Sequence, residues 1–307
     1  MTFKKNMTIV TMLGVVWIGS LGPPLYMKVA REMDMFSTVI QFLFCGGVCT
    51  LIFQYIRKLQ FTRPLKKGTL NIKTLLCIFC TAIIYAITYS FYIIAMKESS
   101  VTETTLLVKL TPLFAVVFSI IFLEEKIKSW IGVVSAVFLC CIGVIIFLNI
   151  DLTHLSHVNK WLLFGGTAIA VLFGVQITIG GYLHRNNILS KEDNTAIGMI
   201  GGAIALWFFC ILKGHDVVLP ATIYDLGWII LLGLTVSIPT YLKLVAYELG
   251  NSMGKLSFYD YLSPLVTAII SYYMLGEKGF EYILLFWGFV FISAGIFILH
   301  KSVIEDD

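Results

Sequence analysis

The sequence predicts an all-α integral membrane protein with ten transmembrane helices, arranged as two five-helix repeats of inverted topology. The 307-residue chain is 58% hydrophobic and only 13% charged, with a mean hydropathy of +0.90. An ordinary soluble domain has about 45–50% apolar and about 25% charged residues, so that class is excluded. The other two observations are long apolar runs, which fit the roughly 20 residues that cross a bilayer, and an internal sequence repeat.

The long apolar runs predict ten membrane spans. Seven carry no charged residue and three carry one each. The first, preceded by Lys4 and Lys5, is too long for the apolar region of a signal peptide. A β-barrel is excluded because its strands give only alternating segments of about 10 residues. The predicted spans are Asn6–Met27, Met35–Ile56, Thr74–Met96, Thr104–Leu123, Ser129–Ile150, Trp161–Leu183, Asn194–Leu212, Leu226–Tyr247, Leu256–Gly276 and Tyr282–Leu299.

The distribution of Lys and Arg predicts that both termini are cytoplasmic, because basic residues concentrate on that side of a membrane. The predicted loop Arg57–Lys73 contributes most of this bias and contains no acidic residue. The small net charge of +4 offers no polybasic face for a nucleic acid. We therefore expect the lipid bilayer, and no nucleic acid, as a partner.

The repeat predicts two domains, residues 1–152 and 153–307. Because each has an odd number of spans, the second enters the membrane from the opposite side. Inverted repeats recur in secondary transporters, which bind substrate near the middle of the membrane between the repeats. The glutamates of the aligned Glu-Lys pairs are expected to stabilise the start of the following helix. The aligned residues include Ser100 with Ser252, Leu110 with Leu262, Pro112 with Pro264, Glu125–Lys126 with Glu277–Lys278, and Gly143 with Gly295.

The repeated residues resemble the EamA-type family of the drug/metabolite transporter superfamily. The resemblance implies ten helices and transport of small metabolites without nucleotide hydrolysis. The sequence departs from the family where a basic residue often opens the second helix, since Gln41 is the nearest polar residue there. The matching segments are Leu110-Thr111-Pro112, Leu123–Lys126 and Gly143, their counterparts Leu262-Ser263-Pro264, Leu275–Lys278 and Gly295, and the first-helix segments Trp17-Ile18-Gly19 and Phe173-Gly174.

The motifs of common enzyme classes are absent from the sequence. It contains no Gly-x-Ser-x-Gly, no phosphate-binding loop and no His-Glu-x-x-His. Cys77-x-x-Cys80 and His154-x-x-His157 have metal-site spacings, but packing within a span and a solvated loop explain them more simply. We expect neither enzymatic activity, nor a cofactor, nor a metal site.

Three charged side chains fall within predicted spans, where ionisable residues are costly and usually functional. Lys243 and Asp260 lie at similar depth on helices joined by a short link, which predicts an internal ion pair or gate. Lys109 lies near the membrane centre and is a candidate for binding a substrate carboxylate or phosphate. The alternatives for Lys109 are a side chain that extends along its own helix, or a pair with Asp260.

Prolines and aromatic residues complete the candidate site. Pro112 and Pro264 remove backbone hydrogen bonds at equivalent places, which predicts gating hinges, with static kinks as the alternative. Tyrosines with an apolar ring and a hydroxyl group suit a solute of mixed polarity. The candidate substrate-binding residues are Lys109, Tyr89, Tyr241, Tyr259, Tyr261, Trp17, Gln176 and Asp260.

Together these features predict a secondary transporter or exchanger of an amino acid or another amphipathic carboxylate, working by alternating access in a plasma membrane, the inner membrane of a bacterium. One alternative is a cationic or quaternary-ammonium solute in a tyrosine cage, with Asp260 as counter-ion. Another is a non-transporting membrane sensor or assembly protein. The small-residue stripes Gly166-x-x-x-Ala170-x-x-x-Gly174 and Gly198-x-x-x-Gly202 could mediate a homodimer or close packing within one bundle.

Overall fold

A computed structural model describes residues 2–60, 72–123, 127–147, 160–186, 188–189, 191–220, 222–248, 262–277 and 282–302. Helices dominate these ranges. They are α1 (Thr2–Glu32), α2 (Met35–Gln60), α3 (Ile72–Glu98), α4 (Val101–Val108), α5 (Thr111–Leu123), α6 (Trp130–Phe147), α7 (Lys160–Arg185), α8 (Lys191–Leu212), α9 (Ile223–Glu248), α10 (Ser263–Leu275) and α11 (Tyr282–Ser302).

The helices have the length and apolar character of membrane spans. Among the described residues, 7 helical stretches are long and apolar enough to cross a membrane, and α4 with α5 counts as one of them. Three shorter apolar helices, Trp130–Ile146, Ser263–Leu275 and Ile283–Leu299, fall on the remaining predicted spans. The prediction of an all-helical integral membrane protein is confirmed.

The fourth predicted span is broken into α4 and α5 at Lys109 and Leu110. The amides of these two residues donate to the carbonyls of Leu106 (2.9 Å) and Leu107 (3.0 Å), three residues back, which is the tighter 3₁₀ pattern. Pro112 has no N–H to offer the Val108 carbonyl, and the Thr111 hydroxyl donates to it instead at 2.6 Å. The freed carbonyl is therefore already satisfied.

Helix boundaries follow the sequence repeat. The helices α5 and α10 are each 13 residues long, and Thr111 and Leu123 align with Ser263 and Leu275. The next helices, α6 and α11, begin at the aligned residues Trp130 and Tyr282. The spacing between aligned residues is 152, the separation of Cys140 and Ile292.

The chain forms two compact units, and each contains helices from both sequence repeats. The first unit comprises Met1–Ile93 and Ile179–Ser263, and the second comprises Ile94–Thr178 and Pro264–Asp307. The predicted domains, residues 1–152 and 153–307, are defined by the sequence repeat and differ from these packing units. They stay a prediction.

Small residues bring the helices of the first unit close together. A Cβ on Gly233 of α9 would lie 3.0 Å from the backbone of Cys45 in α2. The Ser237 hydroxyl donates to the Gly46 carbonyl at 3.2 Å across the same interface. Gly198 and Gly202 of α8 pack against Tyr85 and its neighbours on α3. This stripe packs within the unit, and the homodimer stays a prediction.

In the second unit, α6 and α11 pack in antiparallel directions along their length. At one end the amides of Lys128 and Ser129 donate to the Ser302 carbonyl (2.9 and 3.1 Å). At the centre the Cys140 thiol donates to the carbonyl of Ile292 at 3.8 Å.

Two glycines at this α6–α11 interface make reciprocal contacts. A Cβ on Gly143 would lie 2.8 Å from the Gly288 oxygen, and one on Gly295 would lie 2.7 Å from the Ala136 oxygen. Gly143 aligns with Gly295 and Ala136 with Gly288, so each contact is the repeat-related copy of the other. The interface therefore has a local two-fold relation, with Cys140 and Ile292 at its centre.

Candidate functional site

An aromatic cluster lies in the first unit where α1, α2 and α3 meet. Tyr89 stacks on Tyr85 with ring centroids 6.1 Å apart and planes inclined by 12°. It also contacts Phe42 at 4.9 Å and Tyr92 at 6.3 Å. Tyr85, Tyr89 and Tyr92 share one face of α3, as their spacing indicates. We call these residues, together with Tyr26, the aromatic cluster.

Tyr26 was not among the predicted site residues. Its ring lies 4.7 Å from that of Phe42 and 6.5 Å from that of Tyr89, centroid to centroid. The side chain is 2% exposed, and its hydroxyl makes no hydrogen bond within the described residues. A buried hydroxyl of this kind is costly unless a partner satisfies it. No local pattern identifies Tyr26, since its partners lie on other helices.

Lys109 lies in the second unit at the C-cap of α4, two residues before α5 begins at Thr111. Its side chain is half-buried. The position places a cationic side chain near the N-terminus of α5, where Pro112 has no N–H and the Leu113 amide already donates to the Leu110 carbonyl at 2.9 Å. The negative macrodipole end of α4 and the positive end of α5 meet at this junction and offset each other, so the charge of the junction is that of the Lys109 ammonium. The arrangement is electrostatically suited to an anionic group.

The two predicted hinge residues occupy the second position of a helix. Pro112 follows Thr111 at the start of α5, and Pro264 follows Ser263 at the start of α10, where it is buried. Proline is tolerated in a first helical turn because the amide it lacks has no intrahelical acceptor there. Each proline thus marks the start of a new helical segment. Their role as gating hinges stays a prediction.

The other candidate residues that the structure describes are distributed over both units. In the first unit Tyr241 of α9 contacts Phe53 with ring centroids 5.5 Å apart, and Trp17 of α1 is 53% exposed. In the second unit Gln176 of α7 is buried, and its Nε2 has no hydrogen-bond partner among the described residues.

The predicted ion pair and two of the tyrosines lie outside the described residues. Tyr259, Asp260 and Tyr261 all fall in the gap between α9 and α10. Lys243 belongs to α9, but its side chain is not among those that the structure describes. The Lys243–Asp260 pair therefore stays a prediction.

Gln41, the residue at which the sequence departs from the family pattern, holds an extramembrane segment in place. Its Nε2 donates to the Val218 carbonyl at 2.6 Å, and the Val218 amide donates to the Ser37 hydroxyl at 2.9 Å. Two α2 side chains thus fasten the connection between α8 and α9. The Gln41 amide contributes to packing here.

Glu277 corrects an expectation from the sequence. It was expected to stabilise the start of the helix that follows it. Its carboxylate instead accepts hydrogen bonds from the Val101 amide (2.9 Å) and the Thr102 hydroxyl (3.2 Å), at the start of α4. The physical reason is the same attraction of a carboxylate to a helix N-terminus, satisfied by a helix far away in the sequence.

Comparisons with known proteins agree with this architecture. A crystal structure described only as that of a protein has the same fold, with a TM-score of 0.62, 15% sequence identity and coverage of 96% of each chain. No curated protein matches the sequence. Within the described residues no group of three His, Cys, Asp or Glu could hold a metal ion.

The family comparison is specific for the first half of the chain. Residues 6–149 match the model of the EamA-like transporter family. This segment contains the Leu110-Thr111-Pro112 motif at the α4–α5 break and Gly143 at the α6–α11 interface. Its members are membrane transporters of the drug/metabolite type rather than enzymes. Residues 6–149 are therefore similar to the EamA-like transporter family of the drug/metabolite transporter superfamily.

Proposed function

We propose that the protein is a secondary transporter or exchanger of a small amphipathic carboxylate, such as an amino acid, working by alternating access. The family match supports transport. The observation that carries the substrate class is the place of Lys109, at the junction of two helical segments within one apolar stretch. Discontinuous helices bind substrate in several transporter folds, with helix N-termini directed at anionic groups.

The electrostatics of this junction favour an anion over a cation. The Lys109 ammonium supplies the positive charge of the junction, since the macrodipole ends of α4 and α5 that meet there have opposite signs. A carboxylate there would gain charge-assisted hydrogen bonds, which are roughly twice as strong as neutral ones. Bringing a second cation to the same point would be repulsive.

An inverted arrangement of the repeats is part of the proposal. The antiparallel packing of the aligned helices α6 and α11 supports it, because repeat-related helices that run in opposite directions enter the membrane from opposite sides. Five spans in each repeat then place both termini on one side, which the Lys/Arg distribution assigns to the cytoplasm. We propose a plasma membrane, the inner membrane of a bacterium, as the location.

Labelling of single engineered cysteines tests the topology. In intact cells a membrane-impermeant maleimide should leave Thr2→Cys and Asp307→Cys unmodified, and permeabilised cells should show modification of both. Asp216→Cys, between α8 and α9, is the matched control and should react in intact cells. The unaltered chain measures the background from its native cysteines. Termini that react from opposite sides would contradict the inverted arrangement.

A thermal-shift screen of purified protein tests the substrate class. The panel contains amino acids, organic acids, nucleosides and choline-like amines. A ligand at 100 times its Kd stabilises the folded state by about 2.7 kcal/mol, which is readily detected. We expect stabilisation by at least one amphipathic carboxylate. A response confined to the amines would contradict the carboxylate proposal.

A second candidate, a cationic or quaternary-ammonium solute, is favoured by the aromatic cluster. The ring centroids of Phe42, Tyr89 and Tyr92 all lie within 6.5 Å of the ring centroid of Tyr26. Faces of such rings attract a cation by about 0.5–2 kcal/mol per contact. Choline stabilising the native chain but not a Tyr89→Leu variant would favour this candidate.

A further inference from the structure

The contact between Glu277 and α4 links residues 175 and 176 positions apart in the sequence. Glu277 follows α10 in the second repeat, whereas Val101 and Thr102 open α4 in the first repeat. Both segments belong to the second unit. The carboxylate therefore links the start of α4, in the first repeat, to the segment that follows α10, in the second repeat.

The start of α4 is already capped by neighbouring residues. The Ser100 hydroxyl accepts from the Glu103 amide at 3.1 Å and donates to the Glu103 carboxylate at 2.9 Å. This reciprocal Ser/Glu pair resembles a capping box, which stabilises a helix start without help from elsewhere. Glu277 is therefore not needed for α4 to begin at Val101. What it adds is a fixed position for that end of the helix.

The short helix α4 transmits that position to Lys109. It has only 8 residues, and Lys109 is its C-cap. Its Thr102, Leu106 and Leu107 side chains are buried. A helical segment of about two turns moves as a body, so displacement of its N-terminus also displaces the residue at its end.

We propose that Glu277 is a positioning residue for transport, which acts through α4 to hold Lys109 in its place at the α4–α5 junction. This inference rests on the proposed function, in which Lys109 contacts the substrate. Glu277 does not touch substrate itself. Its carboxylate accepts the two hydrogen bonds that connect the start of α4 to the segment after α10.

The test measures α4 and Lys109 directly, on the purified full chain and without any substrate. Hydrogen exchange reports the α4 amides, and acetylation by an amine-reactive ester, read by mass spectrometry, reports Lys109. In Glu277→Ala we expect both the exchange of the Val101–Leu107 amides and the acetylation rate of Lys109 to change at least threefold. Thr102→Val, which removes only one of the two hydrogen bonds, should change both in the same direction by less.

Asp225→Asn is the matched control. Asp225 accepts from the Thr222 amide at 2.9 Å and caps α9 within its own helix start, so it links no distant segments. This variant should leave α4 exchange and Lys109 acetylation at their original values. Faster α4 exchange with unchanged Lys109 acetylation in Glu277→Ala would overturn the positioning role and leave Glu277 as a cap alone. Since neither readout uses transport, a failure of the carboxylate proposal would leave this result interpretable.

Discussion

Reversing the charge at Lys109 should abolish uptake of an anionic substrate. In Lys109→Glu a carboxylate replaces the ammonium at the α4–α5 junction. The variant repels the substrate carboxylate instead of binding it. We expect uptake into proteoliposomes to fall at least tenfold, which corresponds to about 1.4 kcal/mol or more. The measurement is the initial uptake rate of the carboxylate that the thermal-shift screen identifies.

Two variants separate this effect from general damage. Lys109→Arg keeps a positive charge at the junction and should retain most of the uptake. Lys97→Glu makes the same charge reversal at an exposed residue near the end of α3 and should have little effect. Anion uptake that is unchanged in Lys109→Glu would remove Lys109 from the substrate site.

The largest loss of stability is expected from Gly143→Ala and its larger analogues. The new Cβ would lie 2.8 Å from the Gly288 oxygen and 2.9 Å from the Ile292 nitrogen. Both are backbone atoms of α11, so the helices must separate rather than a side chain rotate. Overpacking of this kind costs about 1–3 kcal/mol. We expect a melting temperature several degrees lower for Gly143→Ala, and no folded protein for Gly143→Leu.

Gly227→Ala provides the matched substitution in α9. A Cβ at Gly227 meets no atom within 4 Å, so no helix has to move. Alanine also favours a helix over glycine by about 1 kcal/mol, so this variant should be as stable as the original chain or slightly more so. If Gly143→Ala and Gly227→Ala melt at the same temperature, the result would contradict the close backbone contact between α6 and α11 at Gly143.

The sequence predicts the spans well because a membrane helix needs an unbroken apolar run, and such runs are visible locally. The repeat is equally visible, and it extends to helix boundaries such as Trp130 and Tyr282. The sequence predicts a hinge or kink at Pro112 in this span, but not the break at Lys109 and Leu110. The break depends on a 3₁₀ turn and on the Thr111 hydroxyl satisfying the Val108 carbonyl, which are local details that an apolar run does not reveal.

The candidate site was predicted only in part, because its other members come from distant helices. The helical spacing of Tyr85, Tyr89 and Tyr92 places them on one face, and the structure joins them in the aromatic cluster. Tyr26 and Phe42 join that cluster through tertiary packing, which no local period encodes. The sequence predicts that Glu277 stabilises the start of a helix, but only the folded structure shows that this helix is α4.

The reciprocal contacts of α6 and α11 have an evolutionary consequence. In an ancestor made of one repeat, the same contacts would have joined two identical chains in a symmetric dimer. A single substitution in that ancestor would have entered the interface twice. In a chain that carries two copies of the repeat, each copy can mutate alone, and the residues at the centre, Cys140 and Ile292, differ. The glycines that still match, Gly143 and Gly295, are those whose replacement by any larger residue would force the paired backbones apart.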